Sequence, residues 1–148
     1  MRERGVTMIE LVVAITIVSM AAVALLGAMS AITTRSANAM VRHQSVAIAE
    51  AYLEEILAKP VANPNPSVVE TTRATWDYVD QYNGLVDVGA HDQFGNAIAN
   101  LSNYTVSVSV VQSSGLSGIT AANSRRIDIT VSDPTGVKVM LSGYRTNY

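Results

Sequence analysis

Cysteine is absent from the 148 residues. In an oxidising compartment this excludes a disulfide staple, so whatever folds there depends on its apolar core alone. Charge is sparse as well, at 15% of residues and a net −2, with no basic field of the kind that attracts nucleic acid. Only two histidines occur, His43 and His91. Neither lies beside a nucleophile signature or at a metal-ligand spacing, and both read as solvated surface residues. The many serines form no Gly-x-Ser-x-Gly turn, so nothing in the sequence asks for catalysis or a cofactor. Internal repeats are missing too, and the length suits one modest domain plus an anchor.

What the chain does have is a long uncharged run. From Leu11 to Thr34, 24 consecutive residues carry no charge. As a helix they extend about 36 Å, enough to span a bilayer. Arg2 and Arg4 precede the run, and positive flanks stay cytoplasmic, so the remainder is expected outside the inner membrane. Arg35 and Arg42 on the far side weaken that asymmetry without reversing it. Ala22-Val23-Ala24 resembles a secretory cleavage site, but Glu10 in the apolar segment argues against a cleaved secretory signal.

Glu10 is the informative residue. An ionisable side chain in hydrocarbon is costly without a partner and marks a function. Four residues separate it from Val6, which puts both on nearly one helical face; a neighbouring subunit displaced along the axis can then offer a positive terminus to this acid. Buried pairs of that kind specify register more than they add stability. The competing reading leaves Glu10 at the membrane interface, complementing the positive end of its own helix.

Beyond the apolar run the pattern becomes amphipathic. Ile48, Tyr52 and Ile56 form one row and Ala49, Leu53 and Leu57 the next, while Arg42, Glu50 and Glu54 fall elsewhere. Glu55 and Lys59 are spaced for an i,i+4 pair, and Pro60 supplies a stop. One helix from Val6 to Ala58, about 80 Å long, is therefore expected. Gly27 is its weak point, since glycine costs about 1 kcal/mol relative to alanine in a helix interior; a close-packing role against another helix accounts for it equally well.

Residues 60–75 read as a linker because Pro60, Pro64 and Pro66 prevent regular structure. Trp76, Tyr78, Tyr82 and Phe94 follow among Gly84, Gly89 and Gly95, which suggests an irregular region packed by large side chains, with one short strand. Asp77, Asp80, Asp87 and Asp92 share it in a spacing that fits no EF-hand. They weigh more as turn formers and solvated acids than as metal ligands. The last third alternates cleanly. Tyr104–Val111 buries Tyr104, Val106, Val108 and Val110 on one face; Arg126–Ser132 alternates through Ile127, Ile129 and Val131; Asp133-Pro134-Thr135-Gly136 turns the chain, and Val137–Tyr144 returns. At least three antiparallel strands are expected, their apolar face on the Ile48, Tyr52 and Ile56 row.

Arg4-Gly5-Val6-Thr7-Met8-Ile9-Glu10-Leu11 resembles the class III signal of type IV prepilins and of type II secretion pseudopilins. The resemblance implies a pilin-like α+β fold, a long helix on a small antiparallel sheet. It implies a prepilin peptidase/methyltransferase that cuts between Gly5 and Val6 and methylates Val6. It also makes Glu10 the acceptor for a neighbour's N-terminus, and other major and minor pilins of one filament the partners. Val6 stands where members often have Phe or Met, a change within hydrophobic character. Loss of Arg2, Glu3 and Arg4 with the leader takes the net charge from −2 to −3. Many pilins close a C-terminal loop with a disulfide, which this chain lacks. Some pseudopilins hold calcium in a loop like that of the four aspartates. Where Gly27 stands, major pilins often have a proline nearby that permits local melting.

Gln44-Ser-Val-Ala-Ile-Ala-Glu-Ala-Tyr-Leu-Glu-Glu-Ile-Leu57 is similar to a helix stretch of minor pilins and I-type pseudopilins. Trp76–Gly84 and Leu141–Tyr148 resemble minor pilins of mannose-sensitive haemagglutinin pili. The implied organisation is a cleaved leader at 1–5, a membrane and filament-core helix at 6–34, its amphipathic continuation at 35–59, and an outer sheet domain at 60–148 with a loop region at 60–103. Such a subunit would wait in the inner membrane, N-terminus cytoplasmic, before reaching the cell surface. A single-pass anchored sensor or periplasmic enzyme is the alternative from another class.

Overall fold

The computed structural model describes residues 7–147. Gly5 and Val6, on which the expected cut falls, lie outside the described residues. The chain divides into two compact units, Met1–Met40 and Val41–Tyr148.

Helix α1 runs Met8–Leu57. Its start has a local cause, because the Thr7 hydroxyl accepts the backbone N–H of Glu10 at 3.3 Å and the Thr7 carbonyl accepts that of Leu11 at 3.2 Å. In the first unit α1 is exposed on every side, through Leu11, Ile15, Val18, Leu25 and Ile32. A helix apolar all round belongs in a membrane or among other helices. The threonines in this stretch do not spoil it: Thr16, Thr33 and Thr34 donate to the carbonyls of Val13, Met29 and Ser30, so their hydroxyls are satisfied without water.

The second unit is α+β, with the end of α1 packed on one four-stranded antiparallel sheet. Strands β1 (Val86–Val88), β2 (Thr105–Gln112), β3 (Ser124–Ser132) and β4 (Lys138–Thr146) lie in chain order, each paired with the next. In register, Val106 faces Val131 and Val139 faces Val131 from the other side, while Ile129 sits between Val108 and Leu141. The expected strands are therefore present with ends moved by one or two residues, and β1 is the short one. The core consists of Ile48, Ala49, Tyr52 and Ile56 of α1 against Val106, Val108, Val110, Ile127, Ile129 and Val131, with Tyr104 beside them. Between β3 and β4, Asp133 shapes the turn. Its Oδ1 accepts from Thr135 N at 2.8 Å and Val137 N at 3.0 Å, and Gly136 takes the left-handed conformation, φ 84°, that the turn requires.

Three expectations are corrected. Glu55 and Lys59 do not pair: Glu55 binds Arg73, and Lys59 Nζ donates to the Trp76 carbonyl at 2.7 Å. The stretch 60–75 is more than a linker, since Arg73–Thr75 form a 3₁₀ turn and Arg73 is only 8% exposed. Phe94 leaves the aromatic cluster at 59% exposure, while Trp76 and Tyr82 meet edge to face at 4.9 Å.

Candidate functional site

Two places among the described residues are candidates for a function. The first is the head of α1. Glu10 is exposed in its first turn and makes no ion pair among the described residues. Thr7 stands three residues before it as the N-cap, in the Thr-x-x-Glu spacing that marks a helix start in sequence. The motif's other partner, Val6, is outside the described residues.

The second place is a buried ionic cluster in the outer unit. Arg73 grips Glu55 with two bonds, Nε to Oε1 at 3.1 Å and Nη2 to Oε2 at 2.7 Å, and reaches Asp87 Oδ2 with Nη1 at 2.7 Å. Its guanidinium also lies over the Tyr52 ring, 4.6 Å from the centroid. The Tyr52 hydroxyl donates to Asp87 Oδ2 at 2.6 Å and accepts the His91 backbone N–H at 2.8 Å. Tyr82 donates to Glu55 Oε1 at 2.8 Å. One cation thereby faces two carboxylates from α1 and β1, with two phenols closing the remaining lone pairs. Burial opposes the charge on Arg73, but the bonds to Glu55 and Tyr52 outweigh it and raise its pKa. Burial pushes the Tyr52 phenol up to about 12, and burial with Glu55 raises Tyr82 as well.

Of the four acids that the sequence groups as loop candidates, one belongs to this cluster. Asp87 is in it. Asp80 instead takes Arg125 through two bonds at 2.6 and 2.9 Å, Asp92 caps its own turn through Phe94 N and Asn96 N, and Asp77 accepts Asn65 Nδ2 at 2.9 Å. The four do not converge, and no group of three His, Cys, Asp or Glu among the described residues is placed to hold a metal ion. His43 is exposed as expected. His91 is not: it is half-buried, with Nδ1 3.0 Å from the Gly89 carbonyl and 3.7 Å from Asp87 Oδ2. Sequence gave no sign of this cluster, because Arg73, Asp87 and Glu55 come from three separate segments without a shared spacing.

An apolar groove of about 270 Å³ runs beside α1, between Ala47, Ile48 and Ala51 and the loop residues Ala90, Ile98 and Leu101. Gln44, Tyr52 and His91 also line it, but the Gln44 amide oxygen accepts the Tyr104 hydroxyl at 2.7 Å and the Tyr52 hydroxyl is taken up by Asp87 and the His91 backbone N–H.

Comparison with known families points to the head of α1. Residues 1–32 match the family model of the prokaryotic N-terminal methylation motif. No curated protein and no solved structure matches the chain significantly. Helix α1 is also long and apolar enough to cross a membrane. The motif supports a type IV pilin-like or pseudopilin-like role.

Proposed function

We propose that this chain is a minor subunit of a type IV pilus-like filament, held in the inner membrane and then docked into the filament through α1. The observation that carries this reading is the methylation motif at residues 1–32 leading into a helix that is exposed and apolar on all sides. Such a surface is stable in two settings, among lipid chains and among like helices, and a pilin passes from one to the other. In this reading a prepilin peptidase cuts between Gly5 and Val6 on the cytoplasmic side and methylates Val6. Glu10 then accepts the terminal amine of a neighbouring subunit, which offsets much of the cost of carrying a carboxylate into an apolar core. The sheet unit makes surface or neighbour contacts with other major and minor pilins.

The segments Trp76–Gly84 and Leu141–Tyr148 support the narrower assignment to a D-type minor pilin of mannose-sensitive haemagglutinin pili. The Gln44–Leu57 stretch, similar to minor pilins and I-type pseudopilins alike, leaves a second reading, a minor pseudopilin of a type II secretion system. Deleting the gene and scoring pili against secreted enzymes separates the two. Intact mass of the mature protein tests the common core. Loss of residues 1–5 with gain of one methyl is expected, whereas an unprocessed N-terminus would return the chain to the class of anchored sensors or periplasmic enzymes. Glu10→Leu is expected to be processed and yet excluded from filaments; incorporation at the parental level overturns the docking role.

A further inference from the structure

The sheet has two free edges, and the hydrogen bonds at the ends of each ladder fix which backbone groups point away from it. On the β4 side, Asn147 N donates to Asn123 O at 2.8 Å and Asp133 N to Val137 O at 2.9 Å, in line with a register that runs unbroken from Ser124 opposite Thr146 to Ser132 opposite Lys138. Antiparallel ladders alternate. Val139, Leu141, Gly143 and Arg145 therefore bond β3, while the N–H and C=O groups of Met140, Ser142 and Tyr144 face outward without a partner among the described residues. On the other edge Gly89 N donates to Tyr104 O and Val108 N to Leu85 O, so Asp87 turns to β2, and the backbone groups of Val86 and Val88 face outward. Where β2 runs on past β1, Asn83 Oδ1 accepts the Val110 N–H at 2.9 Å and closes that part of the edge. β4 has no such cap among the described residues. It also lacks the devices that blunt an edge: it has neither bulge nor proline, and its charges, Lys138 and Arg145, stand at or near its ends. The side chains point the same way. On the face away from α1, Ser107, Ser109, Asp128 and Thr130 make the middle polar apart from Val111, while apolar groups gather at the two rims: Val86 and Val88 on β1, the latter 78% exposed, and Met140 and Tyr144 on β4, the former 66% exposed.

We propose that β4 of one copy takes β1 of a second copy as its next strand, so that the sheet continues from molecule to molecule. Direction selects this pairing. Strands alternate along β1, β2, β3 and β4, so β1 and β4 run oppositely, and a copy shifted sideways in the plane of the sheet lays its β1 antiparallel to β4 with both α1 helices pointing one way. Two β4 edges pairing antiparallel would need a two-fold axis normal to the sheet, which reverses the helix lying on it. The shared sense of the helices rests on the filament reading above, in which all copies start from one membrane. Chemistry selects the register. With Val86 opposite Tyr144 and Val88 opposite Ser142, the outward groups of each pair bond reciprocally, a β-branched side chain meets an aromatic one, and Val88 reaches Met140 on the diagonal. On the α1 face Asp87 then stands opposite Gly143, with Arg145 diagonal to it; the next register along sets this acid against Leu141 instead. The two outer units keep their α1 segments four strand spacings apart, about 19 Å, so the contact is made by the sheets and not by the helices. It is heterologous, leaving β1 free on one copy and β4 free on the other, and it repeats rather than closes.

The absence of cysteine makes the test clean. A full-length Val88→Cys copy and a full-length Ser142→Cys copy are expressed together in the native membrane and oxidised. Hydrogen-bonded neighbours across an antiparallel pair hold their Cα atoms about 5.5 Å apart, inside the range a disulfide spans. The expected result is a mixed 88–142 dimer at about fivefold or more over the 88–88 and 142–142 dimers. Adding Tyr144→Lys to the Ser142→Cys copy and Val86→Lys to the Val88→Cys copy sets like charges opposite each other and lowers that yield about threefold; Val86→Glu in place of Val86→Lys restores it. All four positions are exposed, and restoration excludes mere misfolding of the variants. Equal yields of the three dimers, a dominant 142–142 dimer, linking only to other proteins, or indifference to the charge changes each overturns the proposal. Intact mass of the same samples reads leader removal, so a processed chain without the 88–142 link refutes this edge pairing alone, and an unprocessed chain refutes the filament reading.

Discussion

The guanidinium of Arg73 answers Glu55 on α1 and Asp87 on β1 together, and both carboxylates are largely shielded from water. Truncating it leaves two buried acids without a cation, and breaking a buried pair from one side costs about 3–5 kcal/mol. Arg125 makes an equally short pair, but its partner Asp80 is 39% exposed, so solvent screens the loss to about 1 kcal/mol or less. Arg73→Ala is therefore expected to lower the urea midpoint of the full chain in detergent far more than Arg125→Ala; equal losses would contradict this account. Tyr52 adds a pH signature. Its phenol ionises near 10 in an unfolded chain and near 12 in the folded one. The neutral form belongs to the folded state, so this contribution to stability is complete below pH 10 and is lost as the pH rises through 12. Alkaline unfolding of Tyr52→Phe should show a shallower loss over that window, from a lower starting stability. The sequence singles out Tyr52, Glu55 and Asp87 one by one but not their meeting at Arg73. Glu55 had a lysine at the favoured helical spacing, yet a bidentate guanidinium in a sheltered site outcompetes a flexible ammonium at the surface.

Among the elements, the strands were the most readable, because period-2 alternation records which face is buried. Tyr104, Val106, Val108 and Val110 all point inward as that alternation requires, as do Ile127, Ile129 and Val131. β1 has only three residues, too few for a period, and it was legible merely as a short strand somewhere in a loop region. The contact between β4 and α1 has a feature no pattern reveals. A side chain added at Gly143 would put its Cβ 2.9 Å from Leu53 Cδ1. Leu53 can swing aside for one methyl but not for a branched group. Gly143→Val is expected to cost about 1–3 kcal/mol and Gly143→Ala less. Combining Gly143→Val with Leu53→Ala should recover part of the loss in a double-mutant cycle, and strict additivity would sink the explanation.

At the scale of the whole molecule, what sequence revealed depended on whether the information was linear. The N-terminal methylation motif within residues 1–32 is a linear signal, and the apolar run and the striped half of α1 are periodic ones. The Arg73 cluster is neither, since it exists only once α1, the 3₁₀ turn and β1 have met. The sheet also implies an order of folding. Every strand pairs with its neighbour in sequence, so its ladders close short loops and form early. The stripe of Ile48, Tyr52 and Ile56 is different, because its partners on β3 lie about 70 to 80 residues downstream. As the chain emerges from its N-terminus, that stripe is uncovered for most of synthesis, and its cover begins with β2 and is complete only when β3 and β4 arrive. The amphipathic half of α1 is thus the interval's sticky surface, and the speed of the final hairpin sets how long it stays open to the wrong partner.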